Sequence, residues 1–117
     1  MNGPLTFDDY KYLIANRNLV GINNETSQIQ PSSIDLTLSE ECYEIQNSFL
    51  SPNKNLREKL SEINSKKIDF EKKKIFKKNK TYIVRLNEKL SLNKNIRGLC
   101  NPKSSTGRLD IFCRTIF

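Results

Sequence analysis

The chain has 117 residues, of which 36% are hydrophobic and 28% charged, and it carries a formal net charge of +7. This length suits one domain of modest size, no apolar run is long enough for a membrane span, and residues 1–10 lack the apolar core of a signal peptide, so a cytoplasmic location is expected. The three cysteines, at positions 42, 100 and 113, have no C-x-x-C spacing, which favours reduced, partly buried thiols over a disulfide framework.

The first predicted element is a short helix from Thr6 to Ala15. Thr6 can cap this helix, and Asp9 falls in its first turn, where a negative charge is favoured. The apolar residues recur at helical spacing and would share one face: Phe7, Tyr10, Leu13 and Ile14. The asparagine-rich stretch from Asn16 to Glu25 is expected to end the helix and form a loop.

A strand is predicted after Pro31. Residues Ser33 to Leu38 alternate strictly between polar and apolar side chains, which is typical of a half-buried strand. A turn at Ser39 to Glu41 would then lead into another short strand from Cys42 to Ile45.

The remaining predicted elements are a helix and several short strands. Asn55 to Asn64 has an amphipathic helical pattern, with three apolar residues on one face: Leu56, Leu60 and Ile63. Strands are predicted at Lys67–Phe70, Lys74–Phe76, Thr81–Leu86, Asn95–Cys100 and Leu109–Ile116. Several short strands with one or two helices indicate a mainly β class, for which a barrel or sandwich is the natural architecture.

Much of the positive charge lies in one run, from Lys66 to Lys80. This run could form a patch for the phosphates of a nucleic acid or a nucleotide. A solvated lysine-rich surface is the favoured interpretation, because Phe70 and Phe76 are the only aromatic residues among the lysines and do not make a stacking platform.

The densest cluster of potential ligand-binding groups is Asn101–Arg108, between two predicted strands. Asn101 is a good N-cap, Pro102 suits the first position of a helix, and Gly107 suits a left-handed position at its end, so one helical turn is predicted. Its free N–H groups, two cations and three hydroxyls would suit a phosphate chain. An ordinary polar turn between strands remains the alternative from these residues alone.

A P-loop is excluded for the segment Gly98–Ser104. The spacer before the lysine is one residue short of the G-x-x-x-x-G-K-[ST] pattern. Pro102 also stands where the pattern requires glycine, and proline removes an N–H group from the phosphate cradle.

Two motifs resemble those of dCTP deaminases. Residues Pro102–Leu109 resemble the nucleotide-binding motif of this family, in which a basic residue precedes two serines and an arginine follows. Residues Ile29–Leu38 resemble the early strand of the family, I-x-P-A-S-[VL]-D-L-x-L, and Tyr82–Leu92 resembles the strand and turn before the serine motif. The insertion at Asn53–Lys80, together with Gly107 and Asp110, is most similar to the longer bacterial form.

The resemblance implies a dUTPase-like distorted β-barrel that assembles as a homotrimer with active sites at subunit interfaces. It implies a hydrolase that converts dCTP to dUTP and ammonia without zinc, and the sequence has neither histidine nor P-C-x-x-C to build a zinc deaminase site. Mg²⁺ is expected on the triphosphate, held mainly by phosphate oxygens and water. Neither a membrane nor a nucleic acid is expected as a partner.

The resemblance also assigns roles to the residues of the serine motif. Lys103 and Ser105 would contact phosphates, and Ser104 and Arg108 would support catalysis near the base and the attacking water. Thr106 and Gly107 would contribute backbone groups in the same turn. The early-strand aspartate, Asp35, is expected to be structural and to face solvent.

The proton-transferring glutamate of the family lies well downstream of the serine motif, beyond Phe117. Neither Glu71 nor Glu88 matches a catalytic motif. Residues 1–117 are therefore interpreted as one dUTPase-like domain that is cut before the catalytic strand, and the chain alone is expected to be inactive. The alternatives are a dUTP diphosphatase on the same fold and a non-enzymatic basic domain that binds nucleic acid.

Overall fold

The structure is a computed structural model that describes residues 3–50, 52–63, 65–69 and 76–114. Its helices are α1 (Phe7–Ala15), α2 (Glu25–Gln28), α3 (Leu56–Glu62) and α4 (Ser104–Arg108). Its strands are β1 (Leu19–Val20), β2 (Leu38–Ile45), β3 (Lys66–Ile68), β4 (Thr81–Leu86) and β5 (Lys89–Leu90). The strands form two open antiparallel sheets, which confirms the mainly β prediction, although the described residues include four short helices instead of one or two.

The two predicted helices form where their capping signals lie. The Thr6 amide donates to the Asp9 carboxylate at 2.8 Å, and the Asp9 amide donates back to the Thr6 hydroxyl, which completes a capping box before α1. These hydrogen bonds lower the pKa of Asp9. Asn55 and Glu58 make the same arrangement before α3. Each helix buries one leucine, Leu13 in α1 and Leu60 in α3, and Asn64 lies outside the described residues.

The larger sheet has the strand order β3-β2-β4. Cys42 of β2 lies at its centre, opposite Ile68 on one side and Val84 on the other, and is fully buried. Burial raises the pKa of its thiol. The predicted turn at Ser39–Glu41 is wrong, because β2 continues through these residues and a bulge between Leu38 and Cys42 accommodates the irregular register.

The predicted strand Ser33–Leu38 is also wrong except for Leu38, which begins β2, and Ile34, which forms an isolated antiparallel bridge with Ile29. The backbone amide of Asp35 donates to the Gln28 carbonyl at 2.8 Å. The backbone amide of Thr37 donates to the Glu88 carboxylate at 2.9 Å. The Asp35 hydrogen bond belongs to the single antiparallel bridge between Ile29 and Ile34, and the Thr37 amide is bonded to a side chain instead of a neighbouring strand.

A second sheet pairs β1 with β5 and buries Leu19. It lies partly within the stretch Asn16–Glu25, which the sequence predicted to be a loop and which also contains the start of α2. Strands of two residues are too short to show alternation. The chain leaves β1 at Gly21, where φ is +88° and a Cβ atom would lie 2.5 Å from the Asn87 carbonyl oxygen, so this close approach requires glycine.

The two strands predicted after β5 are absent from the described residues. The segment Asn95–Cys100 is irregular. The structure describes the predicted strand Leu109–Ile116 as far as Arg114. In this part, the Ile111 amide donates to the Thr106 carbonyl at 3.3 Å. Strand residues need a neighbouring strand for their backbone hydrogen bonds, and no such strand lies beside either segment in the part of the chain that the structure describes.

The lysine-rich segment is described only in part. β3 confirms the strand predicted at Lys67–Phe70 only for Lys67 and Ile68, since it begins one residue earlier, Asp69 is not part of it and Phe70 lies outside the described residues. Most of the strand predicted at Lys74–Phe76 lies outside them as well. The described lysines of the run are exposed, as a solvated surface requires: Lys66, Lys67, Lys77, Lys78 and Lys80.

Candidate functional site

The serine motif forms the short helix α4, Ser104–Arg108, as the sequence predicted, but its ends differ from the prediction. The N-cap is Lys103 instead of Asn101, and its side chain makes no capping hydrogen bond. Gly107 lies inside the helix, where its amide donates to the Lys103 carbonyl at 3.0 Å, and Asp110 takes the left-handed conformation expected of the glycine. Asparagine and aspartate tolerate that conformation better than most residues, which explains the shift.

The polar side chains of the motif face solvent. Thr106 is half-buried, and the other motif residues are exposed: Lys103, Ser104, Ser105, Gly107 and Arg108. Within the described residues, the side chains of Ser104, Ser105 and Arg108 have no protein hydrogen-bond partner. One turn of chain therefore presents two hydroxyls and a guanidinium that can all bind a ligand.

Lys103 is the exception, because its ammonium group lies 2.7 Å from a carboxylate oxygen of Asp35. This contact joins the two family motifs, which are 68 residues apart in the chain. The Asp35 side chain is 25% exposed, so the expectation that it faces solvent is only partly met. Sequence reasoning missed the pair, because neither residue carries a local signal for a partner so distant.

The backbone of Asp35 is held by Gln28 from two sides. Gln28 accepts the Asp35 amide through its carbonyl oxygen at 2.8 Å and donates its side-chain Nε2 to the Asp35 carbonyl at 3.0 Å. The Gln28 Oε1 atom accepts the backbone amides of Asn23 and Asn24, both at 3.0 Å. Gln28 is 5% exposed, so its side-chain amide is buried and both of its polar atoms are hydrogen-bonded. It links the loop before α2 to the early motif.

Glu88 contacts the side chain of Gln28 and is 6% exposed. Its carboxylate accepts Gln28 Nε2 at 2.8 Å, the Thr37 amide at 2.9 Å and the Thr37 hydroxyl at 2.7 Å. The Thr37 hydroxyl in turn accepts Asn87 Nδ2 at 2.9 Å. All the described partners of Glu88 are donors, which suits a structural carboxylate. Glu71, the other glutamate considered from the sequence, lies outside the described residues.

A cluster of charged residues ties α3 to the larger sheet away from the serine motif. Arg57 donates two hydrogen bonds to Glu41, at 3.0 and 2.9 Å, and Arg85 donates a third at 3.2 Å. The hydrogen bond from Arg57 is the main cause that lowers the pKa of Glu41 to about 2. Glu41 and Arg85 also line an open groove of about 630 Å³, which no residue of the serine motif lines.

The described residues contain no group of three or more cysteines, aspartates or glutamates that could hold a metal ion. The serine motif itself offers hydroxyls and cations, and its one nearby carboxylate, Asp35, is already paired with Lys103. These residues fit a metal that arrives on a triphosphate, because they can bind the phosphate oxygens around it.

The whole chain matches one known family. The family model for the 2'-deoxycytidine 5'-triphosphate deaminase (DCD) N-terminal domain matches residues 1–117. The chain belongs to the dCTP deaminase family. Its fold is similar to the crystal structure of 2'-deoxycytidine 5'-triphosphate deaminase from Agrobacterium tumefaciens, with a TM-score of 0.83 and 34% sequence identity. That match covers 94% of this chain and 34% of the deaminase chain, and no curated protein sequence matches.

Membership of the dCTP deaminase family confirms the resemblance that the motifs Pro102–Leu109 and Ile29–Leu38 indicated. It also confirms the dUTPase-like fold class. The chain corresponds to about a third of the length of the deaminase it resembles. Among the described residues, no helix is both long and apolar enough to cross a membrane.

Proposed function

We propose that this chain supplies the nucleotide-binding part of a dCTP deaminase site. The observation that carries the proposal is the arrangement around α4, where Ser104, Ser105 and Arg108 are exposed beside a lysine that Asp35 holds. Family membership supports dCTP as the substrate. The proposed reaction combines dCTP with water to yield dUTP and ammonia, as the oxygen of water adds to C4 of cytosine and the amine leaves from that carbon.

The serine motif divides into phosphate-binding and base-proximal residues in this proposal. Lys103 and Ser105 bind phosphate oxygens, because an ammonium group and a hydroxyl donate charge-assisted hydrogen bonds to anionic oxygens. Thr106 and Gly107 contribute backbone groups to the same turn. Mg²⁺ neutralises part of the triphosphate charge and enters with the substrate.

Ser104 and Arg108 lie nearer the base and the attacking water. A guanidinium has five N–H donors and no acceptor, so Arg108 can orient the oxygen of water but cannot take its proton. The Ser104 hydroxyl can donate and accept hydrogen bonds, but it stays protonated at neutral pH and the neutral hydroxyl is too weak to act as a general base. Another group must therefore take the proton from water, and the resemblance to the family implies that this group is a carboxylate.

The described part of this chain does not bring such a carboxylate to Ser104 or Arg108. Asp35 pairs with Lys103, and Glu88 is buried among structural donors. In the family resemblance the proton-transferring glutamate follows the serine motif on a later strand. We therefore propose that these 117 residues bind dCTP without deaminating it, and that the protein acts without zinc.

The assembly proposed for the protein is a cytoplasmic homotrimer with sites at the subunit interfaces. Three strongly exposed apolar side chains flank α4 and support an interface there: Leu99, Leu109 and Phe112.

Calorimetric titration of the purified 117-residue chain with Mg·dCTP tests the binding proposal. We expect Arg108→Ala to weaken binding about tenfold or more, because a charge-assisted contact to the ligand is lost. Arg97→Ala is the matched control, since Arg97 is an exposed arginine outside α4, and it should leave affinity unchanged. An absence of binding by the unaltered chain, or an equal loss in both variants, would refute the assignment of the turn.

Chromatography of the same mixtures tests the reaction. Release of dUTP by the 117-residue chain would contradict the proposal that it binds without deaminating. A preference for dUTP over dCTP, with release of dUMP, would favour the alternative of a dUTP diphosphatase.

A further inference from the structure

The turn that carries the serine motif has few ties to the rest of the protein. Among the described residues, the backbone hydrogen bonds of residues 99–114 are local, and the Lys103–Asp35 contact is their one polar tie to another segment. Apolar side chains in the same stretch do not pack on the core, since Leu99 is 95% exposed and Phe112 is 91% exposed. The position of Lys103 therefore depends on Asp35.

Asp35 is itself fixed by the Gln28 amide, whose orientation has no alternative. Its Oε1 accepts two backbone N–H groups, and its Nε2 donates to the Asp35 carbonyl and to Glu88. A flipped amide would point its NH₂ group at two N–H donors and its oxygen at two acceptors. The side chain is thus a rigid bridge from Glu88 to Asp35.

Glu88 is the buried end of this bridge. It receives hydrogen bonds from Gln28 and, twice, from Thr37. The Thr37 hydroxyl already accepts from Asn87, so its own hydrogen is directed to Glu88. Glutamine at position 88 would keep the shape of the side chain but would set an NH₂ group against a donor, whichever way its amide turned.

From this continuous chain of contacts, we infer that Glu88 is a positioning residue for the phosphate-binding Lys103, acting through Gln28 and Asp35. This inference rests on the proposed function for the contact between Lys103 and a phosphate. The effect of Glu88 on the conformation of the turn can be measured without a nucleotide. Glu88 does not touch the ligand in this arrangement. Its replacement is expected to displace the carboxylate of Asp35 and with it the ammonium group of Lys103.

The first readout is the amide spectrum of the ligand-free 117-residue chain. Glu88→Gln and Asp35→Asn should shift the amide resonances of residues 103–108 in the same pattern, because both loosen the same tie. Glu40→Gln removes one exposed carboxylate outside the network and should leave those resonances in place. If neither Glu88→Gln nor Asp35→Asn moves them, the positioning role is refuted.

The second readout is a double-mutant cycle of affinity for Mg·dCTP and for deoxycytidine. Alone, Glu88→Gln should weaken Mg·dCTP binding about tenfold, a size typical of coupled contacts, and should have little effect on deoxycytidine, which has no phosphate. In a chain that already carries Lys103→Ala, adding Glu88→Gln should cost almost nothing further. A merely structural role would weaken both ligands alike and would add to the effect of Lys103→Ala, which would overturn the inference.

Circular dichroism separates folding from positioning. Glu88 is buried, and Glu88→Gln can unfold the chain, whereas Asp35 is 25% exposed and Asp35→Asn should leave it folded. Asp35→Asn then carries the same two readouts, and equal affinity for Mg·dCTP in that folded variant would also overturn the inference. If the unaltered chain binds no Mg·dCTP, the proposed function fails, and the amide spectrum still decides whether the network positions the turn.

Discussion

The ammonium group of Lys103 lies 2.7 Å from a carboxylate oxygen of Asp35, and this contact connects the serine motif to the early motif. The Lys103 side chain is 62% exposed and that of Asp35 is 25% exposed. Exposed ion pairs contribute little to folding, because water screens the attraction and both side chains lose rotamer freedom. The pair therefore contributes less to the stability of the fold than to the position of the Lys103 ammonium group.

Lys103→Ala should separate binding from stability. We expect affinity for Mg·dCTP to fall about tenfold or more, because a charge-assisted phosphate contact is lost. The free energy of unfolding should change by less than about 1 kcal/mol. Calorimetry and urea unfolding measure the two effects, and Lys94→Ala, at another exposed lysine, is the control. A large loss of stability with unchanged affinity would show that the pair is structural.

Glu41 should make stability depend on pH in acid. Its pKa is lowered to about 2, chiefly by Arg57, from an ordinary value of 4.5. A carboxyl group whose folded-state pKa is depressed stabilises the protein above its unfolded pKa and loses that contribution as the pH falls through the folded pKa. The loss should therefore occur between about pH 4.5 and pH 2, and solvent exposure of the arginines limits it to about 1 kcal/mol.

Urea unfolding at pH 6, 4 and 3 measures that loss. In Glu41→Gln the acid-sensitive contribution should be missing, so the difference from the unaltered chain should shrink as the pH falls. Glu40→Gln, at the neighbouring exposed glutamate, should follow the unaltered chain at every pH. A constant difference between Glu41→Gln and the unaltered chain across this range would contradict the assignment.

Gly21→Ala should destabilise the protein. The backbone there has φ of +88°, and a Cβ atom would lie 2.5 Å from the Asn87 carbonyl oxygen, which cannot move aside as a flexible side chain could. The left-handed conformation alone costs an alanine about 1–2 kcal/mol, and the contact adds to this. Gly98→Ala is the control, since a Cβ atom there meets nothing within 4 Å. Thermal unfolding should show a clearly lower melting temperature for Gly21→Ala and no such decrease for Gly98→Ala.

The three thiols should react at different rates. Cys42 is fully buried and its pKa is raised by burial, so it should resist a thiol reagent such as dithionitrobenzoate in the native state. Cys100 and Cys113 are exposed and should react quickly. The reagent should therefore titrate two thiols in the native protein and three in urea. In Cys42→Ala, the third thiol should be missing in urea. Rapid reaction of all three in the native state would contradict the buried position of Cys42.

Local signals in the sequence determined α1 and α3, whose hydrogen bonds are local, and also β4, whose residues favour a strand although it pairs with the distant β2. The capping residues Thr6 and Asn55 begin α1 and α3 where expected, and the β-branched run Thr81–Leu86 forms β4 over the predicted residues. The order of the two motifs likewise identified the family without a structure. These features could be predicted because each depends on residues within a few positions of one another.

Tertiary structure alone decided the elements that have distant partners and no local signal of their own. Of the alternating residues Ser33–Leu38, Ile34 forms only an isolated bridge with Ile29 and the Thr37 amide bonds to the Glu88 side chain, whereas β1 exists because β5 lies beside it. The residues of the serine motif could be named from the sequence, but the contact between Lys103 and Asp35 could not. Hydrogen-bond partners many residues away leave no trace in local periodicity, so only the folded chain reveals them.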